Sequence, residues 1–307
     1  MGINKVTFII PSYNGWDLLE GFLPSLCKLL WREKADVEII IVDDASTDNS
    51  ADRLKKSALP VRIVTRDKRG GFTKACKEGA ENASGSFIFF LNNDMTFEEH
   101  GEIISPIIRH FEDGDVFAVA PSSLIDWRGE LLDETPTAGK WEKGFLDIPH
   151  PGSVPVSGRE LFHASGGCMC VRKDRYFELG GFDELFSPFY FEDVDLCWRA
   201  RKRGWKIVHE PSVRLYHKSH ETINKLYSPL EVNAIYWKNY FLFIWKNIND
   251  RQLREEHFDY LIENIYEKSR EGQAALLGCK LAMRIFRSHE SKQSGEEIED
   301  RQLLHIS

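Results

Sequence analysis

The sequence predicts an α/β protein: a mostly parallel β-sheet flanked by helices, followed by a C-terminal helical extension. Three observations carry this. Apolar runs of strand length recur at intervals of about 25 residues over the first 120, each followed by helical spacing, which is the β-α-β-α alternation of a parallel sheet. The runs are apolar throughout, as in S-F-I-F-F-L at 86–91, so they suit strands covered on both faces. Beyond Ser228 the apolar residues fall instead at alternating three- and four-residue steps, the seam of a packed helix. At 307 residues the chain can bury a sizeable core, as one large domain or one domain with an appendage.

Residues 5–11 (K-V-T-F-I-I-P) read as the first strand, closed by P-S-Y-N-G. Leu19, Phe22, Leu23, Leu26 and Leu30 give a helix over 16–30. Strand two at 36–42 ends in Asp43-Asp44, and a Ser-Thr-Asp turn opens a polar helix near 47–56. Strand three at 60–65 is followed by Gly70-Gly71 and a helix over 72–82. After the run at 86–91 come a helix near 98–111 and a strand at 116–121. From 122 to 162 the pattern dissolves into Gly, Pro, Trp and charge and reads as a long loop. A short strand at 164–171 leads into a helix at 173–179, stopped by Gly180-Gly181. An aromatic loop at 182–190 precedes an amphipathic helix at 192–203 and two short strands, 206–209 and 213–217.

In the C-terminal part Leu230, Ala234, Trp237, Phe241, Ile244 and Ile248 form the seam, expected to pack against protein. Two more helices are expected at 253–268 and 273–287. The division is then a sheet domain over 1–228, a helical region over 229–290 and a flexible acidic tail over 291–307.

A net charge of −8 and a pI near 5.7 exclude general nucleic-acid binding, whose electrostatic footprint is a basic domain. The six cysteines are scattered, and Cys168-Met169-Cys170 lacks metal-site spacing, so reduced thiols are expected. No signal peptide is visible and no apolar run reaches the roughly 18 residues of a spanning helix. The expectation is a cytoplasmic protein with room for peripheral contact at the inner membrane face. Self-association is the outlet for any surplus aromatic surface.

Three strand ends carry polar groups on one edge of the expected sheet: 11–14, Asp43-Asp44 and Asn92-Asn93-Asp94. In open α/β sheets ligands bind in the crevice at that edge. A dinucleotide dehydrogenase would need G-x-G-x-x-G after the first strand, and P-S-Y-N-G stands there instead. A Walker phosphate loop is also absent. What remains is an aromatic ring (Tyr13), acidic groups able to accept from a base N–H or a ribose hydroxyl, and an Asp94 suited to a hard divalent cation. Those are the parts a nucleoside diphosphate needs. A second cluster, F-E-D-V-D at 191–195, puts three carboxylates in four residues after an aromatic stretch. It reads either as an acidic helix N-terminus, with Asp195 or a neighbour as the cap, or as a tuned general base. Tyr216-His217 ends the last strand, where the histidine is structural or a second metal ligand beside Asp94.

Taken together and in order, P-S-Y-N-G, I-V-D-D-A-S-T-D, G-G-F-T-K-A, F-L-N-N-D and G-G-F-D-E…F-E-D-V-D-L-C-W-R-A-R-K-R-G-W…Y-H resemble the family 2 inverting glycosyltransferases of GT-A fold. The match covers residues 4–220 and is nearest the rhamnosyltransferase-like branch. The resemblance implies a nucleotide-diphosphate sugar donor, a divalent cation (Mg²⁺ or Mn²⁺), and a glycan, polysaccharide or lipid-linked acceptor. By position it assigns Pro11, Tyr13, Asp44, Gly71 and Asn93 to the donor, and Asp94 and His217 to the metal. Gly166, Gly167 and Glu192 fall to the acceptor side, and Asp193 to the general base. One departure is that the first Asp of the family's D-x-D is Asn92 here, which lowers the site's negative charge. It motivates an alternative, a non-catalytic nucleotide-sugar or glycan binding domain of the same fold. A nucleotidyltransferase shares the sheet and metal logic but leaves the E-D-x-D cluster without a role.

Overall fold

The strands that read as fully apolar build the centre of the sheet: β1 (Val6–Ser12), β2 (Val37–Asp43) and β4 (Phe87–Leu91). The computed structural model describes residues 5–148, 160–218, 223, 226–264, 271–286 and 298–306. Along β1 the side chains alternate between two cores. Phe8 and Ile10 join one with Leu19, Leu26 and Phe89, while Ile9 joins the other with Ile40, Ala75 and Phe90. Helices α1 (Trp16–Glu33) and α2 (Ser50–Lys56) supply the first core, with Leu19 and Leu54 among its members. Helix α3 (Phe72–Asn82) supplies the second. A strand with both faces buried has no polar face to show, which is why the expected pattern was continuous rather than alternating.

The sheet also holds β3 (Arg62–Thr65), β5 (Met95–Phe97), β6 (Val116–Trp127), β7 (Glu130–Asp133), β10 (Cys168–Arg172) and β11 (Lys206–His217). Their order is β3-β2-β1-β4-β10-β6-β11-β5, with β7 on β6. β1 runs parallel to β2 and β4, and β6 to β11, whereas β10 is antiparallel to both its neighbours. That inversion matters for the site. Because Cys168 pairs with Leu91, β10 begins at the edge where β4 ends, and the Gly166-Gly167 loop arrives there too. The helices α4 (Ile104–His110), α5 (Lys173–Glu178) and α6 (Glu192–Lys202) complete the flanking layers.

The long loop over 122–162 is largely strand among its described residues: β6 runs on to Trp127 and turns back as β7, and β8 (Lys140–Glu142) pairs with β9 (Phe145–Asp147). Residues 149–159 lie outside the described residues. The short strands 206–209 and 213–217 are one strand, β11, with a register shift between Glu210 and Arg214. Pro211 lies inside that shift, where a residue without an N–H does least harm to the ladder.

Helix α7 (Pro229–Asn247) opens on a capping box, Ser228 with Glu231, and has Pro at its first position. Most of its seam packs against protein as expected, Phe241, Ile244 and Ile248 sharing a third core with Phe191, Trp198 and Trp141, while Leu230 stays exposed. Helices α8 (Arg251–Asn264) and α9 (Glu271–Phe286) follow. Of the expected tail, 298–306 is held in place. Helix α10 (Asp300–Leu303) is followed by β12 (His305–Ile306), which pairs with β8, and buried Asp300 meets Lys202 at 2.6 Å. The sequence hid this because a single buried ion pair leaves no periodicity. Residues 287–297 lie outside the described residues.

His257 on α8 ties the extension to the hairpin. Its ring is buried beside Trp141, Tyr240 and Phe241, with Nδ1 2.8 Å from the Gly144 carbonyl. Burial lowers its pKa to about 4, the Gly144 bond acting the other way. The folded value lies below the unfolded one, so the contribution is present above about pH 6.5 and is lost as pH falls toward 4. From the shift it amounts to about 3 kcal/mol. Urea unfolding at pH 7 and pH 4.5 should therefore show a steeper loss in the native chain than in His257→Gln. Equal losses would contradict this.

Candidate active site

β1, β2 and β4 stop at one edge, and the residues beyond them line a cavity of about 530 Å³. Pro11, Tyr13, Asp44, Gly71, Asn93 and Asp94 all face it, as does Asn92. This is the crevice outside the carboxyl ends of the strands that the α/β architecture provides.

On one side Asp44 organises the loop after β3. Its carboxylate accepts from the Gly70 N–H (2.9 Å) and the Gly71 N–H (2.7 Å) and sits 2.8 Å from Nε of Arg66. Gly71 has φ +80°, and a Cβ there would lie 2.8 Å from the Pro188 carbonyl oxygen, so only glycine lets the two loops meet. The Arg69 guanidinium stacks 4.4 Å from the Tyr13 ring centre and donates to the Tyr227 hydroxyl at 3.3 Å. Asn93 Nδ2 donates to Ser12 Oγ at 3.2 Å, which fixes the amide at the cavity wall.

The centre is Asp94 and His217. β11 ends on His217, paired in register with Met95, so the imidazole lands beside Asp94 with Nε2 3.7 Å from Oδ2. Nδ1 of His217 lies 2.7 Å from Glu134 Oε1. Burial alone would lower the imidazole pKa, but the hydrogen bonds it donates to the Asp94 and Glu134 carboxylates raise it to about 9. Asp94 Oδ1 is buried without a hydrogen-bond partner. An acceptor left bare beside a histidine fits a divalent cation, although His217 must release a proton to ligate it. Among the described residues no group of three or more His, Cys, Asp and Glu is arranged to hold a metal ion. A cation here would therefore complete its shell with phosphate oxygens and water.

On the other side stand Glu192 and Asp193, in the first turn of α6. Asp193 Oδ2 accepts from the Gly166 N–H and Oδ1 from the Val194 N–H, both at 2.8 Å. Each oxygen keeps a lone pair, and the side chain lines the cavity. Gly167 also lines it, and a Cβ there would strike Asn92 Nδ2 at 2.6 Å. Gly166 does not line it; its role is the N–H given to Asp193. Glu192 is buried with Oε2 unpartnered, and burial followed by the charge of Asp193 pushes its pKa well up. Lys238, lowered to about 8 by burial, sits close enough to oppose that rise.

At the start of α6 the capping position is Phe191, whose side chain makes no cap; the expectation that Asp195 or a neighbour serves the helix N-terminus is met by Asp193, which takes the Val194 N–H, and not by Asp195. Asp195 is instead fully buried, bonded to Arg199 (2.7 Å), Lys246 (2.7 Å) and Asn247 (2.8 Å). Burial would raise its carboxyl pKa, but those cations hold it below the usual range. Sequence reasoning also missed Glu134, Arg69, Tyr227, Tyr236 and His163, all lining the cavity. Burial pushes the His163 pKa down against the pull of Asp193. The loop at 182–190 had signalled an aromatic wall; the others join over distances that leave no local pattern.

Among the described residues no helix is long and apolar enough to cross a membrane. A comparison with solved structures finds the same fold in GalNAc-T7 with UDP, GalNAc and Mn²⁺: TM-score 0.62, 16% identity, 87% of this chain and 57% of that one. It also finds it in Staphylococcus aureus TarS 1–349 in complex with UDP-GlcNAc: TM-score 0.57, 16% identity, 92% and 81%. In sequence the chain is 27% identical over 253 residues to the O-antigen biosynthesis protein RfbC of Myxococcus xanthus, 78% of this chain but only 19% of RfbC. It is 39% identical over 241 residues to the N-acetylglucosaminyl-diphospho-decaprenol L-rhamnosyltransferase of Mycobacterium tuberculosis, 69% of this chain and 75% of that enzyme. The model of "Glycosyl transferase family 2" matches residues 7–176, from β1 through the strand that carries the Gly166-Gly167 loop to the edge of the cavity. The strand ends, the cavity they build and this match agree, and the chain belongs to glycosyl transferase family 2.

Proposed function

We propose that the protein transfers a sugar from a nucleotide-diphosphate donor to an acceptor hydroxyl, with inversion at the anomeric carbon. The observation that carries this is one cavity bringing Tyr13, Asp94 and His217 within reach of a carboxylate, Asp193, that is oriented by two backbone N–H groups. Tyr13, Pro11, Gly71 and Asn93 form the donor side. Asp94 and His217 would hold Mg²⁺ or Mn²⁺, which when bound offsets the charge that grows on the departing diphosphate. Asp193 accepts the proton of the acceptor hydroxyl as that oxygen bonds to the anomeric carbon and the carbon–phosphate-oxygen bond breaks. Leaving-group protonation is then not required of the protein, so a single carboxylate suffices. Glu192, Gly167 and His163 form the acceptor side.

The acceptor class is a glycan, a polysaccharide or a lipid-linked sugar. The names of the relatives support this: one is an O-antigen biosynthesis protein and the other an N-acetylglucosaminyl-diphospho-decaprenol L-rhamnosyltransferase. Six unbridged cysteines support a reducing compartment, the cytoplasm. The test is a panel of UDP-, GDP- and dTDP-sugars, each with and without Mn²⁺, read by thermal shift and by release of the nucleoside diphosphate. A donor at 100 times its dissociation constant adds about 2.7 kcal/mol of stability. The reading requires one nucleotide class to stabilise the protein in a cation-dependent way and to be turned over. Binding without turnover across the panel would instead favour a non-catalytic binding domain.

A further inference from the structure

Asp193 is aimed by backbone that is itself held in a disfavoured conformation. Tyr190 and Phe191, the two residues before Glu192, both lie in the left-handed region, with φ 72° and 70°. Aromatic L-residues rarely adopt it, and a pair in sequence persists only where neighbours fix it. What fixes it comes from α7, beyond the span of the family model. Asn239 is fully buried, and its Nδ2 lies 2.7 Å from the Phe186 carbonyl and 2.8 Å from those of Phe189 and Tyr190. Three carbonyl oxygens around one atom identify it as the amide nitrogen, whose two hydrogens are shared among them. Lys238 adds a bond to the Ser187 carbonyl at 2.6 Å. Two consecutive residues of one helix thus pin four carbonyls of the turn that delivers Glu192 and Asp193 to the cavity.

We propose that Asn239 is a positioning residue for sugar transfer: its amide holds the 186–191 turn so that the Asp193 carboxylate faces the acceptor hydroxyl. This rests on the reading of Asp193 as the base. A small displacement of a reacting group can cost about a hundredfold in rate without changing what binds. The C-terminal extension is then part of the catalytic unit and not only a covering layer.

The experiment uses the full chain and a double-mutant cycle. Asn239→Ala, Asn239→Ser and Asp193→Asn are made singly, and each Asn239 variant is also combined with Asp193→Asn. All are assayed by release of nucleoside diphosphate from whichever of UDP-N-acetylglucosamine, GDP-mannose or dTDP-L-rhamnose the native protein turns over, and by calorimetric binding of the matching nucleoside diphosphate with Mn²⁺. Asn239→Ala should lower kcat roughly 10- to 100-fold with donor KM and nucleotide affinity nearly unchanged. Asn239→Ser, which keeps one donor, should recover part of the loss, and it carries the test if the alanine variant does not fold. With Asp193→Asn already present, the Asn239 change should cost little further, since its effect runs through that carboxylate. An equal loss in both backgrounds, or weakened nucleotide binding matching the fall in kcat, would overturn the positioning role. Native-like turnover of Asp193→Asn alone would overturn the base assignment instead, so the two failures are told apart.

Discussion

Asp193→Asn lowers turnover by roughly 10²- to 10⁴-fold, the range for losing a general base, and leaves nucleotide affinity nearly intact. The substitution is close to isosteric, and its one amide oxygen keeps one of the two backbone bonds, from Gly166 or Val194, while the NH₂ faces the other N–H. What disappears is the lone pair that takes the proton. Glu192 is the natural rival, being adjacent and lining the same cavity. Its burial and the charge of Asp193 favour its protonated form, which donates a hydrogen bond but cannot accept a proton. Glu192→Gln preserves that donor capacity and should cost less. Steady-state kinetics of the two variants decide between them: a larger fall in kcat for Glu192→Gln would reverse the assignment.

The second large effect is expected at Asp94. It supplies the only acidic side chain of Asn92-Asn93-Asp94, and its Oδ1 is buried without a partner. Asp94→Ala should abolish the Mn²⁺ dependence of donor binding, beyond the roughly 10- to 100-fold typical of losing an outer-shell partner. His217→Ala should weaken it only in part, because phosphate oxygens and water can replace one imidazole in the shell of a hard cation. Calorimetric titration of the nucleoside diphosphate with and without Mn²⁺ measures both. Unchanged Mn²⁺ dependence in the Asp94 variant would mean that the cation is held elsewhere or is not used.

Much of this site was legible because of where buried strands stop. A strand covered on both faces reads as an apolar run, and its end is marked by the first polar residues, here Tyr13, Asp44 and Asn92 to Asp94. The chemistry sits at those ends, so the sequence pattern and the cavity point to the same residues. Glu134 is a different case. It meets His217 from 83 residues away, at the end of a hairpin whose exposed strands were too irregular to read as strands. Arg69 reaches Tyr227 over 158 residues. Such contacts are set by tertiary packing and leave no local period.

The acidic cluster shows the same limit at closer range. Three carboxylates within four residues look alike in sequence, but packing separates them. Asp195 is neutralised inside the core by Arg199 and Lys246, Glu192 is buried beside Lys238, and Asp193 alone is both oriented by backbone donors and open to the cavity. Asn239 was invisible for a further reason. In sequence it is one polar residue on an apolar helix, and its importance lies in three carbonyls some 50 residues earlier in the chain.

The proposed reaction is a single displacement in which an acceptor hydroxyl, deprotonated by Asp193, attacks the anomeric carbon from the face opposite the diphosphate. The most direct measurement is the anomeric configuration of the newly formed glycosidic bond, read by proton NMR of the purified product. Inversion is expected, an α-linked donor giving a β-linked product or the reverse. A product that retains the donor configuration would contradict it, because retention needs either a second displacement or attack from the leaving-group face.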